Sequence, residues 1–151
     1  MNPAATSPVL NWTVVETGDR WYQAVLRFTA DPEPHDHQSV RHLSIAAAGE
    51  LVNGSNIPHD RLHVVLWEVP SEPPLWIPLV DVIAGIRRAD PRSVQLAHLP
   101  TPASRAAALA VQAAGVTVLL DELWTLQPLA RRLAGRVAGG QMPVFLPTGR
   151  R

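Results

Sequence analysis

Three consecutive pieces of the chain decide its class: TPASRAAALAVQAAG at residues 101–115, VTVLLDELW at 116–124 and TLQPLARRLAGR at 125–136. The first opens with a helix-start signal, Thr101 able to cap and Pro102 suited to the first helical position. An alanine-rich run follows, with Ala107, Ala110, Val111 and Ala114 on one face, and this predicts a helix. Gly115 closes it, as expected where the backbone must turn to positive φ. Val116 to Leu120 are five apolar or β-branched residues without alternation. Such a run predicts a strand covered on both faces, as in a parallel sheet. Asp121 and Glu122 stand at its carboxyl end. From Thr125 onward, Leu126, Leu129, Leu133 and Val137 are spaced for one buried helix face. Helix, buried strand, helix is a fragment of an α/β sheet, and in such sheets ligands sit beyond the carboxyl ends of the strands.

Composition narrows the function. At 151 residues, 46% of them hydrophobic, the chain is most simply one domain with a real core. Thirteen basic and 13 acidic residues give zero net charge, so nothing points to a nucleic-acid partner or an anionic membrane. The start, MNPAATSPVLN, has neither basic residues nor a long apolar region, unlike a signal peptide. No apolar run reaches the ~18 residues of a membrane span. A cytoplasmic protein is the expectation. All 13 basic residues are arginine, with no lysine and no cysteine. Schiff-base chemistry, P-loop phosphate binding, disulfides and thiolate metal sites are therefore excluded.

Outward from the opening stretch, strands and helices alternate. Trp12 to Val15 read as a first strand ending at Glu16, Thr17, Gly18 and Asp19. Arg20 to Ala30 carry Trp21, Ala24, Val25 and Phe28 at helical spacing, with a β-hairpin across Gly18-Asp19 as the competing reading. Val40 to Ala46 form a second candidate strand, followed by a short helix or turn near Gly49 to Val52. Leu62 to Val69 are a third strand. Pro70 to Pro74 break it and lead to a helix over Ile77 to Ala89, stopped at Asp90-Pro91. Ser93 to Leu99 make a fourth strand, ended by Pro100. About five such alternations imply a parallel sheet with helices on both faces.

The order and punctuation resemble a response-regulator receiver domain of two-component signalling. LHVVLWEVPSEPP is similar to that family's third strand and the proline-bearing loop after its phosphoacceptor. PLVDVIAGIRRADP is similar to its third helix, and AVQAAGVTVLLDELW to the helix end, fifth strand and following loop. The resemblance implies a doubly wound, flavodoxin-like parallel sheet of five strands. It divides the chain into an arm (1–10), a receiver-like α/β domain (11–138) and a C-terminal tail (139–151).

The family's chemistry uses an aspartate at the end of the third strand and an acidic pair for magnesium at the end of the first. It also uses a hydroxyl at the end of the fourth strand and a lysine at the end of the fifth. By resemblance, Glu68 falls at the phosphoacceptor position, Glu16 followed by Thr17 at the acidic pair, Ala97 or His98 at the hydroxyl, and Asp121 or Glu122 at the lysine. Phosphoryl transfer depends on cations that neutralise the transferred oxygens, and a carboxylate in place of lysine reverses one sign. Glu16, Glu68 and Glu122 are expected to form a like-charged cluster that repels phosphate and tolerates a divalent cation. The chain reads as a pseudo-receiver: not phosphorylated, not an enzyme, without a cofactor, and working through a protein partner or as a homodimer. Arg131, Arg132 and Arg136 on the last helix, with Trp124 before it, are the candidate interface, since receivers often pair through their last two helices.

Six histidines offer an alternative. His35, His37, His42, His59 and His63 map to the amino end of the strands, where His35, His37, His59 and His63 could hold zinc with a bound water. Solvated loop histidines are the simpler reading, because HxH and HxxxH spacings arise readily by chance. A third reading is a small ligand bound among Glu16, Glu68, His98 and Glu122. VTVLLDE resembles a Walker B strand, but no phosphate-binding loop accompanies it, and no Gly-x-Ser-x-Gly elbow exists.

Overall fold

A computed structural model describes residues 9–29, 38–53, 61–99, 105–120, 122 and 125–138. Five strands carry the fold: β1 (Val9–Val15), β2 (Gln38–Leu43), β3 (Arg61–Glu68), β4 (Val94–His98) and β5 (Val118–Leu120). Around them pack α1 (Arg20–Thr29), the short α2 (Glu50–Asn53), α3 (Pro73–Ala89), α4 (Arg105–Ala114) and α5 (Leu126–Ala138). The sheet order is β2-β1-β3-β4-β5 and every pairing is parallel. The chain leaves β1 in one direction to make β2 and in the other to make β3. Their carboxyl ends therefore border a topological switch point, the natural site of a crevice in such sheets.

Period-two alternation divides the strand residues between two cores. Leu10, Trp12, Val14, Leu62, Val64, Leu66, Val94 and Leu96 face α1 and α5, meeting Trp21, Ala24, Val25, Leu126, Ala130 and Leu133. Val15, Val65, Trp67 and Ala97 face the other way, onto Leu51 of α2, Leu79, Ile83 and Ile86 of α3, and Ala107 and Val111 of α4. Trp12, Trp21 and Trp67 are fully buried. A buried polar bridge crosses the second core: the Trp67 indole N–H donates to Gln95 Oε1 at 2.9 Å, and Gln95 Nε2 donates to the Ile83 carbonyl at 3.1 Å. That pairing satisfies a buried amide that would otherwise carry its full desolvation cost.

Gly115 ends α4 at φ 145°, and a Cβ there would lie 3.1 Å from Arg87 Cβ. Glycine is required both for the backbone angle and for the close approach. Residues 20–29 are helix, not the second arm of a hairpin.

Several boundaries differ from the expectations. β1 begins at Val9, so Val9 and Leu10 belong to the sheet and not to an arm. β2 runs from Gln38 to Leu43 instead of Val40 to Ala46. Its register with β1 pairs Leu10 with Gln38 and Val15 with Leu43, and Ser44 then caps a 3-10 turn by accepting from the Ala47 N–H. α3 starts at Pro73, four residues before the expected Ile77, because Pro73 and Pro74 occupy first-turn positions where prolines lose nothing. β5 is only three residues long and pairs with β4 alone. Val118 and Leu119 are accordingly half-buried, not covered on both faces.

Candidate functional site

The strand ends were expected to gather carboxylates. They do so unequally. Glu16 follows β1 directly and is 1% exposed. The Gln23 N–H bonds to the Asp19 carbonyl at 2.9 Å, so Asp19 stands at the N-cap of α1 and the Trp21 and Tyr22 amides have no helical acceptors. Glu16 supplies them: Trp21 N–H donates to Oε1 at 2.9 Å and Tyr22 N–H to Oε2 at 2.8 Å. A carboxylate at this position also meets the positive end of the helix dipole.

His42 completes the arrangement. It lies in the carboxyl half of β2, opposite Val14 of β1, and not at the strand's beginning or the amino end of the sheet as expected. Its Nε2 sits 2.8 Å from the Gly18 carbonyl and 3.4 Å from Glu16 Oε2, with its ring against Tyr22. A carbonyl carries no proton, so Nε2–H is the donor to Gly18.

Glu68 ends β3 and is half-buried. Thr17 donates to its Oε1 from both the backbone N–H and Oγ1, each at 3.2 Å. Its neighbour in register is His98 of β4, whose ring lies 4.9 Å from that of Trp21. Of the two hydroxyl-position candidates, His98 lines the site while Ala97 points into the second core. Glu122 is exposed and also lines it. Asp121 lies outside the described residues.

Glu68, His98 and Glu122 open onto a cleft of about 1070 Å³. Buried Val69 and Leu79 and half-buried Ile45 and Val82 line it, together with exposed Glu72, Pro74 and Leu75. Sequence reasoning passed over Glu72, Leu75 and Arg20, which also lines the cleft. The signal available for the first two was the acidic residue just before a proline-started helix. Glu16 is not among the described lining residues. Of the three expected glutamates, Glu68 and Glu122 line the cleft, while the Glu16 carboxylate is engaged by the first amides of α1. Of the four residues of the small-ligand reading, Glu68, His98 and Glu122 line the cleft. These residues do not fit the family's magnesium site: one acid of the required pair is spent on two backbone amides, and Thr17 follows it.

The proposed zinc quartet is also altered. His63 is the third residue of β3, inside the strand expected over Leu62 to Val69, and is 8% exposed. Its Nε2 is 2.9 Å from Thr13 Oγ1 on β1. Burial pushes its pKa below the ordinary value of 6.5, opposed by Asp90 and aided by Arg41. A hydrogen-bonded histidine between sheet and helix layer is not a loop ligand. His35, His37 and His59 lie outside the described residues, among which no three His, Asp or Glu side chains form a metal-binding group. At the candidate interface, Arg131 and Arg132 are exposed on α5. Arg136 falls within α5, with its side chain outside the described set, and Trp124 lies outside the described residues. No described helix is long and apolar enough to cross a membrane.

No known family profile matches the sequence, and no curated protein matches it. Solved structures do match. A CheY-like protein, TadZ, from Pseudomonas aeruginosa PAO1 superposes with a TM-score of 0.58 at 15% identity, over 82% of this chain and 98% of that one. The pilus assembly protein CpaE from Caulobacter crescentus CB15 gives 0.56 at 15% identity, over 91% and 97%. The beryllofluoride-activated NtrC4 receiver domain, solved as a dimer, gives 0.53 at 14% identity, over 84% and 98%. Five parallel strands in the order β2-β1-β3-β4-β5, with α1 and α5 on one face, make this a receiver-like, flavodoxin-like fold.

Proposed function

We propose that this chain is a receiver-type domain that takes no phosphoryl group and works through protein contact, with itself or with a partner. In this reading it is not an enzyme and needs no cofactor. The observation that carries the reading is the fate of Glu16. The acid that would help hold a divalent cation is buried and bonded to the amides of Trp21 and Tyr22. Two further features support it. The chain has no lysine at all, so the cation that phosphoryl transfer needs at the fifth strand end has no substitute of the same kind. The carboxylate at the acceptor position already holds both donors of Thr17.

The same fold occurs in the pilus assembly protein CpaE, and a fold does not by itself fix a function. The dimer of the NtrC4 receiver supports self-association as one form the contact takes, with the exposed Arg131 and Arg132 face of α5 as its place. Incubation with acetyl phosphate, or with beryllofluoride and magnesium, tests the proposal by intact-mass and fluorine measurements. No adduct is expected. A stoichiometric adduct at Glu68 overturns the reading.

A further inference from the structure

We infer that the cleft beyond β3 and β4 is a docking groove for a protein segment presenting an arginine or lysine beside apolar side chains. The inference rests on the contact-making function above and names the chemistry of that contact. The groove is apolar where it is deep, at Ile45, Val69, Leu79 and Val82. Leu75, also among the lining residues, is 52% exposed. Its size, about 1070 Å³, lies at the top of the ~300–1,000 Å³ range of small-molecule pockets.

Charge and hydrogen-bonding capacity select the occupant. Glu68, Glu72 and Glu122 line the groove against one arginine, Arg20, with His98 the remaining titratable group among the described lining. Glu72 stands at the N-cap of α3 yet makes no capping bond, which leaves its carboxylate for an incoming donor. The start of a helix ordinarily attracts anions through free amides. Here Pro73 and Pro74 have no N–H, and the amides of Leu75 and Trp76 are both bonded to the Glu72 carbonyl, at 2.9 and 3.1 Å. Pro78 lies within the same helix, so the Pro74 carbonyl loses the amide it would accept from one turn later. Pro74 and Pro78 both line the groove. An excess of carboxylate acceptors over cationic donors, three glutamates against Arg20, beside apolar side chains suits a guanidinium or ammonium group on a hydrocarbon stem.

The test is an NMR titration of the nitrogen-15-labelled full chain with two blocked pentapeptides. One is acetyl-Leu-Pro-Arg-Leu-Pro-amide; the other carries citrulline, a neutral isostere, in place of arginine. The arginine peptide is expected to move the amide signals of Glu68, Glu72, Leu75 and Leu79. Affinity is expected to fall about tenfold with citrulline, and about as much in the Glu72→Gln/Glu122→Gln variant, as for loss of charge-assisted bonds. Both glutamates are exposed, so the variant's melting temperature serves as the folding control. Equal binding of the two peptides overturns the inference, as does binding elsewhere on the surface or none at millimolar peptide. If beryllofluoride also leaves no adduct, only the groove assignment falls and the functional reading stands.

Discussion

The carboxyl ends of β1 and β3 are adjacent, a glutamate follows the first and closes the second, and the two glutamates have opposite fates. Glu16 is sealed beneath α1, where two amides and His42 surround its carboxylate. Glu68 stays half-buried at the mouth of a cleft, held from one side by Thr17. The residue type is the same; what differs is the element that follows. After β1 the chain turns within four residues, Glu16 to Asp19, into a helix whose first amides point back at the strand end. After β3 it enters Val69 to Glu72, and α3 starts with two prolines that offer no amide to a carboxylate. A strand-end acid becomes structural when the next helix has donors to satisfy, and remains available when it has none.

The sharpest way to break this comparison is to remove Glu16. Glu16→Ala leaves two helix amides without acceptors and removes the carboxylate partner of His42. The expected cost is about 2–4 kcal/mol, combining a lost cap with unsatisfied buried donors. Urea unfolding measures it. A cost below ~1 kcal/mol would mean that water serves α1 as well as Glu16 does, and that the acid is free for other work.

The two strand ends were not equally legible in the sequence. The α4–β5–α5 stretch announced itself through alanine spacing, a punctuating glycine and an apolar run, and it folds in that order. The α/β class followed from alternation alone. What the sequence did not reveal was direction at the site. That Glu16 turns toward α1 depends on which amides the helix start leaves open, a matter of three-dimensional closure. His42 moved from one end of the sheet to the other because β2 begins two residues earlier than its apolar residues suggest, at Gln38. Strand propensity marks Val40 but is silent about polar residues that join a ladder through backbone alone. Pro73-Pro74 misled in a different way: prolines that break a strand are equally good at starting a helix.

A buried polar pair on the same two strands sharpens the contrast by showing what a purely structural contact does. Thr13 and His63 meet across β1 and β3, both buried. His63→Leu leaves the Thr13 hydroxyl unpaired and is expected to cost about 1–2 kcal/mol near neutral pH. Adding Thr13→Val should return much of that loss, since an apolar pair needs no partner. The pH dependence carries a definite sign. Burial lowers the folded pKa of His63 below 6.5, so as pH falls through that value the unfolded chain binds a proton that the fold refuses. His63 therefore favours folding fully above that pH and progressively less below it. The stability difference between wild type and His63→Leu should shrink between about pH 7 and pH 5. A difference that grows on acidification would mean that the imidazole is charged in the fold.

The smallest expected effect is the most telling. Glu68→Gln keeps an amide oxygen where Oε1 lies, so both Thr17 donors retain an acceptor, and only the charge at the cleft mouth changes. Stability should move by less than ~0.5 kcal/mol, as for substitutions away from buried networks. Urea midpoints, with unchanged slopes, are the measurement. A loss approaching that of Glu16→Ala would make Glu68 a second structural acid and erase the distinction between the strand ends. A gain is physically reasonable too. Glu68, Glu72 and Glu122 share one cleft, and removing one of three like charges relieves repulsion that salt also screens. Raising the ionic strength should then narrow the gap between Glu68→Gln and the wild type. For Glu16→Ala it should change little, because that cost comes from unmet hydrogen bonds in a site that excludes water.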